Sequence, residues 1–197
     1  MRIKKAMLVL AAVALPLASV ALTQSPAFAH KVTGAGKTSC HFGGTISFNP
    51  PLSKNGTPNV KKEITTVNAT IGSCVGGKPP GPATVASVKP IKSKVAKGQN
   101  AGTCSSFDST AGTIVVKVKV KWAGEKPSKF SVTHLKIAIN NSGEAGFKAS
   151  GFPVAGSYAG TGSLAVFLTQ ASSAAIASCS GRISTLSIDR ANSTSTL

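Results

Sequence analysis

Residues 113–122 read TIVVKVKVKW. Lys117, Lys119 and Lys121 fall on every second position, and Val116, Val118, Val120 and Trp122 fill the places between. Successive side chains of a strand point to opposite faces, so this period of two gathers the valines and the tryptophan on one face and the lysines on the other. Wound at 3.6 residues per turn, the same residues would mix on every side. The stretch is a half-buried strand with one dry face and one cationic, wet face.

Working outward, the same signal recurs, cut by turn residues. HFGGTISF leads to NPPLSKNG, where two prolines and Asn55-Gly56 predict a loop. KKEITTVNATIGSC sets Thr65, Val67, Ala69 and Ile71 against Ile64, Thr66 and Asn68, and the run VGGKPPGP over residues 75–82 closes it. ATVASVKPIKSKVAKG carries Lys92 and Lys94 on one face and Ile91 and Val95 on the other, with Pro90 marking an edge or break. KFSVTHLKIAIN, FKASGF, SYAGTGSLAVFLT and RISTLSID follow. Short alternating runs spaced by Gly and Pro predict an all-β fold, an antiparallel β-sandwich or barrel. One stretch departs from this pattern. TQASSAAIASCSG, residues 169–181, predicts one short α-helix near the C-terminus, capped by Thr169 or Ser172, ended by Gly181, with Leu168, Ile176 and Cys179 toward the core. ANSTSTL is a final strand or a loose tail.

The N-terminal residues read differently. Arg2, Lys4 and Lys5 precede the apolar run MLVLAAVALPLASVAL, and Ala27 and Ala29 form an A-x-A exit. This is the plan of a secretory signal peptide over residues 1–29, leaving a single secreted domain over residues 30–197. The run is broken by Pro16 and falls short of the roughly 20 residues a spanning helix needs. No later segment is apolar enough to span a bilayer.

Export gives the cysteines their meaning. Cys40, Cys74, Cys104 and Cys179 all lie beyond the leader, and an even count in an oxidising compartment reads as two disulfides. Of three possible pairings, Cys40 with Cys74 and Cys104 with Cys179 is favoured, since each pair can join nearby strands without crossing the other. No C-x-x-C spacing supports zinc.

The chain has 22 Lys and Arg against five Asp and Glu, a net charge of +17. That balance favours anionic partners, and for an exported protein the expected ones are anionic cell-envelope polymers. The anion-binding candidates are Lys92, Lys94, Lys117, Lys119 and Lys121, with Lys89 and Lys97 beside them. Lysine on a strand also guards an exposed edge against pairing with another chain. Nucleic acid is disfavoured: eight Phe, one Trp and one Tyr, mostly at core-like strand positions, are a poor stacking platform.

Catalytic signatures are missing. GAGKTS at 34–39 lacks the first glycine of a phosphate loop, since Lys31 occupies that place. No G-x-S-x-G elbow exists, and five scattered acids suggest no paired-carboxylate site. The expectation is a non-enzymatic protein without a cofactor. One metal reading stands as an alternative. His30, exposed as the first residue by cleavage, has an α-amine and an imidazole that suit Cu(II), with His41 or His134 as a second ligand. A second alternative is a secreted adhesin or carbohydrate-binding module, which needs Trp122 or Tyr158 at the surface.

CHFGGTISFNPPL, ATIGSC, GTCSSF and GSYAGTGSLAVFLTQASSAAIASCSG together resemble a group of small secreted actinobacterial proteins. That group has a cysteine ahead of a G-T-I-x-F-x-P-x-L run, four similarly placed cysteines and an alanine-rich segment before the last of them. The resemblance covers the chain from about Cys40 onward. It implies export and a β-rich fold, and no activity.

Overall fold

The computed structural model describes residues 33–78, 83–105 and 114–197. In chain order the strands are β1 (Ala35–Leu52), β2 (Lys62–Lys78), β3 (Ala83–Val88), β4 (Ile91–Lys94), β5 (Val116–Trp122), β6 (Ser128–Val132), β7 (Lys136–Ile139), β8 (Ala145–Ala155) and β9 (Gly160–Phe167). Helix α1 (Gln170–Ser178) follows, then β10 (Ile183–Ile188) and β11 (Thr194–Thr196). The expected all-β class with one short helix near the C-terminus is what the chain forms. The expected leader, residues 1–29, lies outside the described residues.

Among the described residues the strand-to-strand pairings are antiparallel and join into one eleven-stranded sheet, ordered β3-β5-β6-β8-β9-β11-β1-β2-β4, with β10 on β1 and β7 on β8. The sheet curls into a half-barrel until β3 lies alongside β2. Strands share flanks in succession. β3 and β4 follow one another along β2, β6 and β7 along β8, and β10 and β11 along β1.

Two irregularities keep the apolar faces turned inward. Along β2 the inward set Thr65, Val67, Ala69, Ile71 would continue to Ser73, yet Cys74 is the residue opposite Cys40. The register slips by one between Cys40 and Phe42, so Gly72 and Ser73 form a bulge and the alternation restarts at Cys74. On β8 the buried apolar side chains are Ala149, Phe152 and Val154. Gly151, at φ +78°, supplies the extra residue there in a conformation that glycine adopts without strain.

Several expected boundaries move. β1 begins at Ala35 and runs through both Pro50 and Pro51, so the predicted loop starts only after Leu52. β2 continues through the expected loop glycines to Lys78. His134, expected within a strand, lies in the short link between β6 and β7. Thr169 caps α1, its Oγ1 accepting from the Ser172 N–H, while the helix ends on Cys179 in a left-handed conformation rather than on Gly181. ANSTSTL ends in β11, which seals the gap between β9 and β1, and Leu197 is buried.

Two packed regions result. One holds Trp122, Tyr158, Phe130, Phe152, Cys40 and Leu197. The other holds Leu168, Ile176, Leu186, Ile188 and Cys104, beneath the helix. A disulfide ties each one, Cys40 to Cys74 and Cys104 to Cys179. No helix among the described residues is long and apolar enough to cross a membrane.

Candidate functional site

The inward faces of the strands do not fill the space they surround. They leave a cavity of about 170 Å³. β2 contributes Thr65, Val67, Ala69 and Ile71, β5 contributes Val116, Val118 and Val120, and β1 contributes Phe42, Ile46 and Phe48. β3, β4, β6, β8, β9 and β10 add Ala86, Val88, Ile91, Phe130, Phe147, Leu164, Val166 and Ile188. Thr65 and Ser195 are the polar residues in this wall. The space exists because many inward residues are small: alanines, valines and a threonine stand where a packed barrel would carry leucine or phenylalanine. An apolar cavity of about 150 Å³ elsewhere stays dry and takes benzene-sized guests.

The cavity has a closed end and an open end. Along β5, Val116 and Val118 are half-buried, whereas Val120 and Trp122 are only 2% and 4% exposed. At that dry end the Trp122 and Tyr158 rings meet edge to face, 4.7 Å between centroids. The Trp122 indole N–H donates to Ser128 Oγ at 2.8 Å, and Ser128 in turn donates to the Ser157 carbonyl. Tyr158 donates through its hydroxyl to buried Glu125. These contacts plug the barrel, with the Cys40–Cys74 bridge packed against the same cluster. At the opposite end, Phe48, Thr65, Ile91 and Ile114 also line a second hollow of about 40 Å³ with Asn49, Glu63 and Ser93, so the apolar interior opens there into a small polar vestibule.

The lysines stand on the outside of this wall. Lys117, Lys119 and Lys121 are exposed, as are Lys92 and Lys94. The Lys92–Lys94 and Lys117–Lys121 stretches do not lie on adjacent strands. β4 pairs with β2, which places Lys94 opposite Lys62 and Lys92 opposite Ile64. The strand that borders β5 is β3, and its continuation brings the Lys89 N–H to the Lys117 carbonyl at 3.0 Å. Like charges also face each other elsewhere: Lys119 opposite Lys129, and Lys136 opposite Lys148. Such pairs directly across a ladder are destabilising.

The acids among the described residues are engaged with other donors. Glu63 accepts from the Gly102 N–H, and Glu125 from Tyr158. Glu144 accepts from Asn140 and Asn192, and Asp189 from Ala191 N–H and Asn192.

His30 lies outside the described residues. His41 and His134 are exposed, the first on β1 and the second in the link between β6 and β7. Among the described residues no group of three or more His, Cys, Asp or Glu side chains is placed to hold a metal ion. Trp122 and Tyr158, which a carbohydrate-binding surface would have to offer, are buried at 4% and 1% exposure, so neither ring can stack on a sugar. Sequence reasoning identified the inward faces of β2 and β5 but missed the cavity. The signal for it was the run of small residues on those faces.

Comparison with protein-family models, with curated proteins and with solved structures finds no match to this chain.

Proposed function

We propose that this is an exported, non-enzymatic binding protein that holds an apolar molecule inside its curled sheet. The observation that carries the reading is the apolar cavity, walled by side chains from nearly every strand and closed at one end by the Trp122 and Tyr158 pair. Ligand sites are concave and mostly apolar, with few polar groups in the wall. Burying a hydrocarbon against such a wall gains on the order of 25 cal/mol per Å² removed from water. The two disulfides suit an oxidising compartment.

The test is uptake of a neutral apolar probe, N-phenylnaphthylamine, by the purified protein. The expected result is saturable binding, a rise in probe fluorescence, quenching of Trp122 (the chain's single tryptophan), and displacement by decanol. Probe emission unchanged from that in buffer would sink the reading.

A second reading concerns the outer surface and is favoured by the Lys119–Lys129, Lys136–Lys148 and Lys62–Lys94 oppositions. A fold that sets like charges face to face gains when an anionic polymer lies across them. The protein then associates with the anionic cell envelope. Co-sedimentation with purified envelopes should fall steeply as salt rises, and should drop for Lys117, Lys119 and Lys121→Ser. Binding absent at low salt would leave those lysines as the wet side of a strand.

A further inference from the structure

Resting on the cavity reading above, we infer that the ligand is a single-chain amphiphile with an anionic head, its chain inside the barrel and its head at the open end among Lys89, Lys92 and Lys117. The argument begins with strand alternation. At the mouth, the paired strands β3 and β5, and β4 on the flank of β2, each present a cavity-lining residue followed at once by an exposed lysine: Val88 then Lys89, Val116 then Lys117, Ile91 then Lys92. The Lys89 to Lys117 backbone bond fixes two of these side by side. A lysine stem has four carbons and can lie along apolar surface while its ammonium reaches the rim. The rim is therefore cationic where the interior ceases to be dry.

Among the described residues, the acid that lines the vestibule is Glu63. Its carboxylate accepts from the Gly102 N–H, and Lys62, Lys92 and Lys94 stand on the outer face of the same β2–β4 pair. The closed end excludes a head of either sign. It is packed with Trp122, Tyr158 and Leu197, and the acid held there, Glu125, is 3% exposed. Among the described residues, the end open to a charged head is the one bordered by Lys89, Lys92 and Lys117. A neutral apolar guest would need no such rim, and a cationic amphiphile would be repelled by it.

The experiment compares three probes of equal chain length below their micellar concentrations: decyl sulfate, decanol and decyltrimethylammonium, each titrated calorimetrically into the purified protein. At low salt, decyl sulfate should bind about ten-fold or more tighter than decyltrimethylammonium, the scale expected from a few ammonium groups near one anion in a high-dielectric setting. The ratio should shrink as salt is raised. Lys89→Ser with Lys92→Ser and Lys117→Ser should abolish the preference and leave decanol binding unchanged. Lys119→Ser with Lys121→Ser and Lys129→Ser, away from the mouth, should retain it. Equal binding of the two charged probes alongside firm decanol binding would overturn the anionic head and keep the apolar cavity. Equal loss from both triple variants would overturn its placement at the mouth. Failure of all three probes would overturn the cavity reading and the inference with it.

Discussion

Lys119 stands directly opposite Lys129 across the β5–β6 ladder, both exposed. Directly opposed like charges cost stability and opposite charges return it, over a range of roughly 0.2–1 kcal/mol per pair. Lys129→Glu should therefore raise the urea midpoint at low salt by an amount equivalent to about 0.5–1 kcal/mol. The gain should shrink at high salt, where exposed charges are screened. The same substitution should weaken envelope binding, so stability and association would move in opposite directions. An unchanged midpoint at low salt would mean that the two ammonium groups already splay apart into water.

Ser128 is a relay at the closed end of the barrel. Fully buried, it accepts from the Trp122 indole and donates to the Ser157 carbonyl. Ser128→Ala strands a buried donor and a buried acceptor together. Leaving such groups unpaired costs about 1–3 kcal/mol each, partly offset by relaxation. The expected loss, read from denaturant unfolding followed by Trp122 emission, is about 2 kcal/mol. A loss within error would show that the indole N–H finds another partner.

Gly34 pins the start of β1 to the same end. Its N–H donates to Ser157 Oγ at 2.9 Å, and its carbonyl accepts from the Tyr158 N–H at 2.7 Å. A Cβ at this position would collide with Glu125 Oε2 and come within 2.6 Å of Tyr158 Cζ. Both neighbours are buried and cannot swing into solvent. Gly34→Ala should therefore cost about 1–3 kcal/mol by overpacking, seen as a lower thermal midpoint. A wild-type midpoint would show that the segment can lift away from Glu125.

Much of this architecture was legible because strand alternation is a direct image of burial. The valines and the tryptophan of β5 point inward and its lysines outward, as the period of two requires. The disulfide pairing followed from economy of connection. Thr169 announced the helix start. What could not be read were the places where the period breaks. The bulges at Gly72-Ser73 and at Gly151 shift the inward set by one residue, and an isolated glycine gives no sign of which partner strand it bulges against. Nor could the separation of β3 from β4 be read, because Pro90 marks an interruption without saying that one piece borders β5 and the other β2. The cavity needed both pieces of knowledge. It depends on how many small inward residues meet across strands far apart in sequence.

Ala69 offers the sharpest test of that space. It sits half-buried on β2, lining the cavity, while its neighbour Asn68 faces solvent. An aromatic side chain carries a large apolar area, and here it has a void to enter rather than a packed core to displace. Ala69→Phe should leave stability unchanged or raise it by up to about 1–2 kcal/mol, because added apolar surface is buried without a matching cavity left behind. Uptake of N-phenylnaphthylamine should fall about ten-fold or more, the equivalent of about 1.4 kcal/mol of lost contact. Asn68→Phe, on the outer face, should leave uptake as it was. Val118→Leu, a smaller intrusion from β5, should give a partial loss in the same direction. Full uptake by a folded Ala69→Phe protein would place the probe somewhere other than the barrel interior.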